Sequence, residues 1–293
     1  MNKIKLIATD MDGTLLNDGR HVSNENVKAI HRAKEEGIHV IVATGRDYTE
    51  AMSPLKEVGL RMPLICVNGG DIREEDGEVI HQQTLSFEQF VKMKAILDEE
   101  GIYFEIYTTK GAYTDHAERG LDVVVDLLMS TGEFSSYDEV RSLAEKRFEE
   151  GAINQTDDYE TFLKQEGCKL FKLLAFSEDD TKRERAKKKL LELGDVDVSA
   201  SAKENLEITH KDATKGNGLK MMADKFGVDL SETMVLGDNY NDVSMMKQAG
   251  LAVAMGNASK EIQKFCDFVT EENTNDGVAK AIDRVLKQAE AKK

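Results

Sequence analysis

The chain has 293 residues, with 39 Lys and Arg against 55 Asp and Glu, for a formal net charge of −16. Hydrophobic residues make up 40% and charged residues 32%, enough for one large domain or two smaller ones with separate cores. So acidic a chain repels nucleic acid and anionic membrane, and it needs a local cation to handle an anionic substrate.

Leu6 and Ile7 lie within the first apolar run, Ile4–Thr9, which reads as a buried strand. Asn24–Glu36 reads as a helix, with Ser23 as N-cap and Gly37 as its stop. Ile38–Ala43 and Pro63–Val67 are further strands, with a helix at Tyr48–Val58 between them. Continuous apolar strands alternating with helices imply a parallel sheet covered on both faces. Asn68–Gln83 holds Gly69, Gly70 and Gly77 and is expected to form a hairpin.

The texture then changes. Ser86-Phe87-Glu88-Gln89 looks like a capping box opening a helix that ends near Gly101. Strands are expected at Tyr103–Thr108, Ala112–Thr114, Lys169–Ala175 and Val196–Ala200. Helices are expected around Leu121–Met129, Asp138–Phe148 and Asp179–Leu193. Residues 84–208 thus read as an inserted α+β domain. After it the α/β pattern returns, with helices at Lys215–Phe226, Asn241–Ala249, Ser259–Phe265 and Gly277–Leu286. Short strands at Met234–Leu236 and Leu251–Val253 lie between them. The expected fold is α/β, a Rossmann-like parallel core built from residues 1–83 and 209–293 around that insertion.

Polar residues gather where these strands end, which is where open parallel sheets bind ligands. Asp10-Met11-Asp12-Gly13-Thr14 follows the first strand, Thr44-Gly45-Arg46 the second, and Asn68-Gly69-Gly70 the third. Gly237-Asp238-Asn239-Tyr240-Asn241-Asp242 follows a later one, and Lys215-Gly216 opens a helix. This inventory matches the needs of phosphoryl transfer, which requires a divalent cation and a fixed positive side chain. Asp10 and Asp238 can supply hard oxygen ligands to Mg²⁺. Lys215 can neutralise both a nucleophile and a phosphate. The Thr44 hydroxyl and the Asn68–Gly70 turn can bond phosphoryl oxygens. An aspartate nucleophile splits hydrolysis into two easier steps. Asp12 can protonate the leaving alkoxide and then activate water.

Four of these segments, Asp10–Thr14, Thr44, Lys215-Gly216 and Gly237–Asp242, resemble the motifs of the haloacid dehalogenase superfamily. More narrowly, Ala43-Thr44-Gly45-Arg46, Val67-Asn68-Gly69, Ala254-Met255-Gly256-Asn257-Ala258 and Asp276-Gly277-Val278-Ala279 are similar to its Cof-type sugar-phosphatase branch. One departure is Gly69-Gly70, where a Gly-Ala pair is more usual. The resemblance implies a Mg²⁺-dependent phosphomonoester hydrolase for a small phosphorylated metabolite, working through a phospho-aspartate. It implies Asp10 as nucleophile and Asp12 as acid/base. It also implies that Mg²⁺ is held by Asp10, the Asp12 carbonyl and Asp238, with Asn241 and Asp242 supporting the metal and Lys215. Asp242 is itself a further candidate ligand. Gly45, Arg46, Asn68, Gly69 and Asn241 join Thr44 and Lys215 as expected phosphate contacts. The insertion is where this branch carries its cap, expected to choose the substrate; Tyr107, Tyr113 and His116 are candidate lining residues.

Other features read as structural. The basic run Lys182–Lys189 lies on a helix flanked by acids and is expected to be a solvated face. Met221-Met222 and Met245-Met246 are expected in the core. Cys66, Cys168 and Cys266 form no Cys-x-x-Cys pair, so neither a disulfide framework nor a zinc knuckle is suggested. No secretory signal or membrane-span run is visible, so a cytoplasmic protein without an obligate protein partner is expected. Two other readings share the motifs: a phosphosugar mutase, and a non-catalytic sensor of phosphorylated metabolites.

Overall fold

Leu6–Thr9 forms β1, and all four residues are buried. A strand apolar on both faces needs cover on both, which a helix-flanked parallel sheet supplies. The computed structural model, which describes residues 3–130, 136–149, 153–200 and 204–290, shows that arrangement. After β1 come α1 (Asn24–Glu35), β2 (His39–Ala43), α2 (Tyr48–Glu57) and β3 (Leu64–Cys66). Ser23 caps α1 by accepting the Asn26 N–H, and Asp47 caps α2 by accepting the Glu50 N–H. The expected hairpin follows as β4 (Asp71–Arg73) and β5 (Val79–Gln82).

The insertion opens with α3 (Phe87–Glu99), whose capping box joins Ser86 and Gln89 in both directions. It continues with β6 (Tyr103–Thr108), β7 (Gly111–Thr114), α4 (Ala117–Ser130), α5 (Tyr137–Glu149) and β8 (Asn154–Gln155). Then follow α6 (Tyr159–Leu163), β9 (Leu170–Phe176), α7 (Asp180–Leu191), β10 (Val196–Ser199) and β11 (Asn205–His210). The chain returns through α8 (Lys215–Phe226), β12 (Thr233–Gly237), α9 (Val243–Met246), β13 (Leu251–Ala254), α10 (Lys260–Gln263), β14 (Phe268–Val269) and α11 (Gly277–Glu290).

Two compact units result, Met1–Gln83 with Asp212–Lys293, and Thr84–Lys211. The first holds an eight-stranded sheet in the order β14-β13-β12-β1-β2-β3-β4-β5. Its six strands from β14 to β3 run parallel, and the β4–β5 hairpin is antiparallel. The second holds a six-stranded sheet, β10-β11-β9-β6-β7-β8, antiparallel except for the β7–β8 pair. One face of that sheet packs Phe104, Ile106, Leu173, Leu206 and Ile208 against Phe90, Met93 and Leu97 of α3. No helix among the described residues is long and apolar enough to cross a membrane.

Several details depart from the sequence reading. Strand β11 was not expected, and the 208/209 boundary falls inside it. Its alternation of Leu206 and Ile208 with Glu207 and Thr209 marks a two-faced strand, yet Glu207 and Thr209 are buried as well. The short elements β8, α6 and β14 were also unread. The helix expected at Asn241–Ala249 is a 3₁₀ turn at Tyr240–Asp242 followed by the short α9. Met222, Met245 and Met246 are core residues, but Met221 is 38% exposed on the outer side of α8. Along α7 only Arg183, Ala186 and Leu190 are buried, as a solvated basic face requires.

Helix α8 approaches its neighbours closely because its first turns carry glycine. A Cβ at Gly216 would lie 2.5 Å from the Ser244 backbone oxygen. Gly216→Ala is therefore expected to lower stability by roughly 1–3 kcal/mol through overpacking, read as a fall in the urea midpoint at unchanged slope.

Candidate active site

The order of the main sheet decides where its chemistry collects. From β1 the chain steps to β2 and β3 on one side, and later from β12 to β13 and β14 on the other. Where such an order reverses, the loops at the strand ends diverge and leave a crevice. Thr9 pairs with Leu236, so the residues just beyond β1 and β12 are neighbours. The Asp10 N–H donates to the Leu236 carbonyl at 2.9 Å. Asp10 and Asp238, far apart in sequence, thus sit side by side.

Lys215 is the first residue of α8, set there by the Thr214 N-cap. Its side chain is fully buried. The ammonium Nζ donates to Asp10 Oδ1 at 2.5 Å and to Asp242 Oδ1 at 2.7 Å. The other Asp242 oxygen accepts the Asp238 and Asn239 N–H groups, both at 3.0 Å. Asp242 is therefore a bracket that ties Lys215 to the loop after β12. The Thr14 hydroxyl donates to Asp238 Oδ1 at 2.7 Å, joining the two loops across the crevice.

Carboxylate oxygens of Asp10, Asp238 and Asp242 lie within 4.8 Å of one another. Three acids face one ammonium there, so the cluster is short of positive charge. Burial alone would favour a neutral amine, but Asp10 and Asp242 outweigh it and hold Lys215 above the usual lysine range. Burial pushes the Asp10 carboxyl well up; Lys215 opposes that, and Asp242 and Asp238 reinforce it. Burial likewise pushes Asp238 up to about 6, opposed by the Thr14 hydroxyl. Hard oxygen donors crowded at one point suit a small divalent cation such as Mg²⁺, which would relieve the crowding.

Asp12, two residues on, has different surroundings. Its side chain is 54% exposed and takes a two-pronged contact from Arg46, at 2.8 Å from Nε and 2.6 Å through the second nitrogen. Pro54, inside α2, has no N–H for the Glu50 carbonyl one turn earlier. The other Arg46 terminal nitrogen lies 3.4 Å from that carbonyl, so the guanidinium is held from both sides. Sequence reasoning placed Arg46 as a phosphate contact; here its partner is Asp12.

Thr44 is buried after β2, and its hydroxyl accepts the Arg46 N–H at 3.1 Å. The turn after β3 is strained: Val67, Asn68 and Gly69 have φ of 49°, 55° and 106°. A β-branched residue in the left-handed region is a real cost, and such strain concentrates at functional sites. A Cβ at Gly69 would lie 2.4 Å from the Thr214 carbonyl, so only glycine fits beside the α8 cap. A Cβ at Gly45 would meet Asn68 Oδ1 at 3.4 Å, and that oxygen accepts from Asn241 Nδ2 at 3.1 Å. The two glycines, Asn68 and Asn241 therefore share one neighbourhood. Thr14 and Asn257 also belong here, although Thr14 has no separate role in the sequence reading. Asn257 Nδ2 donates to the Gly13 carbonyl at 2.8 Å.

Of the lining candidates in the insertion, Tyr113 packs against Phe162 with ring centroids 4.0 Å apart and the planes tilted by 39°, at the margin of that unit's core. Tyr107 lies under the Lys172 ammonium at 4.6 Å. His116 is tied by its backbone N–H to the Thr114 hydroxyl at 3.1 Å.

A family model for haloacid dehalogenase-like hydrolases matches residues 7–282. The chain belongs to this family. It is a phosphatase of that family. It is 33% identical over 285 residues to Phosphatase YwpJ of Bacillus subtilis (strain 168), covering 97% of this chain and 100% of the relative. A second relative from that organism, 5-amino-6-(5-phospho-D-ribitylamino)uracil phosphatase YwtE, is 33% identical over 284 residues, covering 97% and 98%. The solved structure of a haloacid dehalogenase-like hydrolase from B. subtilis superposes with a TM-score of 0.81 at 32% identity, covering 96% of this chain and 99% of that one.

The raised Asp238 carboxyl has a measurable consequence for the metal-free protein. Between about pH 4, where a free aspartate titrates, and about 6 the folded state keeps a proton that the unfolded chain has released. Stability from this group is thus present at low pH and is lost as pH rises through that window. Asp238→Asn removes the titration. In chelator, the variant's gain in melting temperature over wild type is expected to be larger at pH 7 than at pH 4.5.

Proposed function

We propose that the chain hydrolyses the phosphomonoester of a small metabolite, a sugar phosphate or similar, through a phospho-aspartate on Asp10 with Mg²⁺ as cofactor. The supporting observation is the fully buried Lys215 between Asp10 and Asp242, with Asp238 alongside.

Asp10, the Asp12 carbonyl and Asp238 would hold Mg²⁺, which supplies positive charge to the phosphoryl oxygens. Asp242 serves mainly as the bracket for Lys215. Lys215 keeps Asp10 aimed and available as a carboxylate, because its fixed charge favours the ionised form. An Asp10 oxygen attacks phosphorus as the bond to the leaving oxygen breaks. Asp12 passes a proton to that leaving alkoxide. Asp12 then takes a proton from water as the water attacks the phospho-aspartate, releasing inorganic phosphate and restoring Asp10. Thr44 and the Asn68–Gly69 turn, with Gly45 and Asn241 behind it, bind phosphoryl oxygens. Arg46 steadies Asp12 between these steps. The insertion selects the leaving group. The relative named for a ribitylamino-uracil phosphate makes a phosphorylated polyol a first substrate to test.

Asp10→Asn replaces one carboxylate oxygen by an isosteric amide. Turnover of p-nitrophenyl phosphate is expected to fall at least about a thousandfold with the fold intact by circular dichroism. Wild-type turnover in that variant would remove the nucleophile assignment. EDTA is expected to silence the enzyme and excess Mg²⁺ to restore it; activity that survives chelation would remove the cofactor assignment. Release of inorganic phosphate, rather than isomerised sugar phosphate, separates hydrolase from mutase.

A further inference from the structure

The loop from Asp10 to Leu16 has one short backbone hydrogen bond of its own, from the Leu16 N–H to the Met11 carbonyl at 2.8 Å, and its other two are stretched. Thr14 N–H reaches the Met11 carbonyl at 3.4 Å and Leu15 N–H reaches the Asp10 carbonyl at 3.3 Å, both long. Three side-chain amides hold it from outside. Asn257 donates to the Gly13 carbonyl at 2.8 Å, Asn26 to the Leu15 carbonyl at 3.2 Å, and Asn273 to the Leu16 carbonyl at 3.0 Å. Two of the donors are joined to each other, and the third is anchored to α11. Asn257 Oδ1 accepts the Asn273 N–H at 3.0 Å, and Asn26 Oδ1 accepts the Ala279 N–H at 3.0 Å.

The segment that carries Asn273 is built at a cost. Asp276 adopts φ of 57°, a left-handed conformation unusual outside glycine, and its carboxylate accepts the Ser23 hydroxyl at 2.6 Å. A Cβ at Gly277 would lie 2.1 Å from the Glu271 carbonyl. Strain of this kind persists only where the surroundings over-determine the backbone.

We propose that Asn257 and Asn273, with Asn26, form an amide clamp that positions the Asp12 carboxyl by fixing the backbone just beyond it. This rests on the acid/base role given to Asp12 above. Gly13 is the pivot. Its φ is 75°, and on its other side a Cβ would meet Asp238 Oδ2 at 2.5 Å. With Asp238 against one side of Gly13 and the Asn257 amide on its carbonyl, the Gly13–Thr14 peptide has one orientation, and Asp12 is the residue that leads into it. Asn257 and Asn273 are positioning residues, acting on proton delivery through the loop.

Asn257 is exposed, so its truncation tests the clamp without emptying the core. Asn257→Ala is assayed with Mg²⁺ on phenyl phosphate and on p-nitrophenyl phosphate, alongside a thermal melt. Phenol is the far poorer leaving group and needs the proton from Asp12; p-nitrophenolate leaves largely without it. The variant is expected to lose about 10- to 100-fold in kcat on phenyl phosphate, at little changed KM, and less than about threefold on p-nitrophenyl phosphate. An equal fall on both esters, whether or not the melting temperature drops, means a merely structural role and overturns the proposal. So does an unchanged kcat on both. Asp10→Asn reports on the nucleophile alone, so failure of the clamp and failure of the proposed chemistry give different results.

Discussion

An ammonium without access to water governs the architecture of the main unit. Burying a lysine charge costs several kcal/mol unless carboxylates meet it with good geometry. Asp10 and Asp242 meet it here, from β1 and from the turn after β12. That requirement fixes three elements at once: the end of β1, the first turn of α8 and the loop after β12. The glycines around it follow from the same demand. A Cβ at Gly237 would lie 2.4 Å from the Asp242 carboxyl carbon, and one at Gly218 would lie 2.5 Å from Ile65. Removing them would push apart the partners that make the buried charge tolerable.

The turn after β3 shows the same trade in the backbone. Three consecutive residues, Val67 to Gly69, take positive φ, and ordinary loop packing offers no reason for a valine there. Neighbouring hydrogen bonds hold the turn in place: Val67 N–H to the Arg46 carbonyl and Asn68 N–H to the Thr44 carbonyl, both at 2.9 Å. The loop after β2 thus dictates the shape of the loop after β3. Rigidity at both suits recognition of a compact anion, since donors already in place need no reorganisation when charge develops.

Much of this was legible in the sequence because it is local. Apolar runs marked β1, β2, β3 and β12, and the polar residues at their ends marked the crevice. Ser86 and Gln89 announced the start of α3 through a pattern that depends on four residues only. What stayed hidden depends on contacts across the fold. Arg46 gives no sign of facing Asp12, because the pairing needs α2 to stand beside the β1 loop and Pro54 to leave a carbonyl open. Asn257 belongs to a motif that the sequence shows and Asn273 looks like an ordinary loop residue, but nothing local says that their donors reach the carbonyls of residues 13 and 16. Strand β11 escaped because Glu207 and Thr209 interrupt its apolar character, although Lys172 lies 3.7 Å from Glu207 across the sheet. Tyr113 is a lining candidate inside an expected strand, yet its ring completes the apolar packing of its own unit.

The two aspartates of the first loop show how environment separates groups of identical chemistry. Asp10 is buried against a fixed ammonium and two other acids, so its charge state is governed by its partners. Asp12 is half exposed and takes two hydrogen bonds from the edge of a guanidinium, which holds a carboxylate in one orientation without enclosing it. A group that gives and takes protons needs contact with the medium and a reproducible direction, whereas one that forms a bond needs its charge and its aim held constant. A chain with a net charge of −16 would repel a phosphate ester from most of its surface. Lys215 alone does not offset the three acids of the crevice; a divalent cation held there, as proposed, would bring the cluster to charge balance. The same crevice would then admit the anion, and it sets the two carboxylates apart.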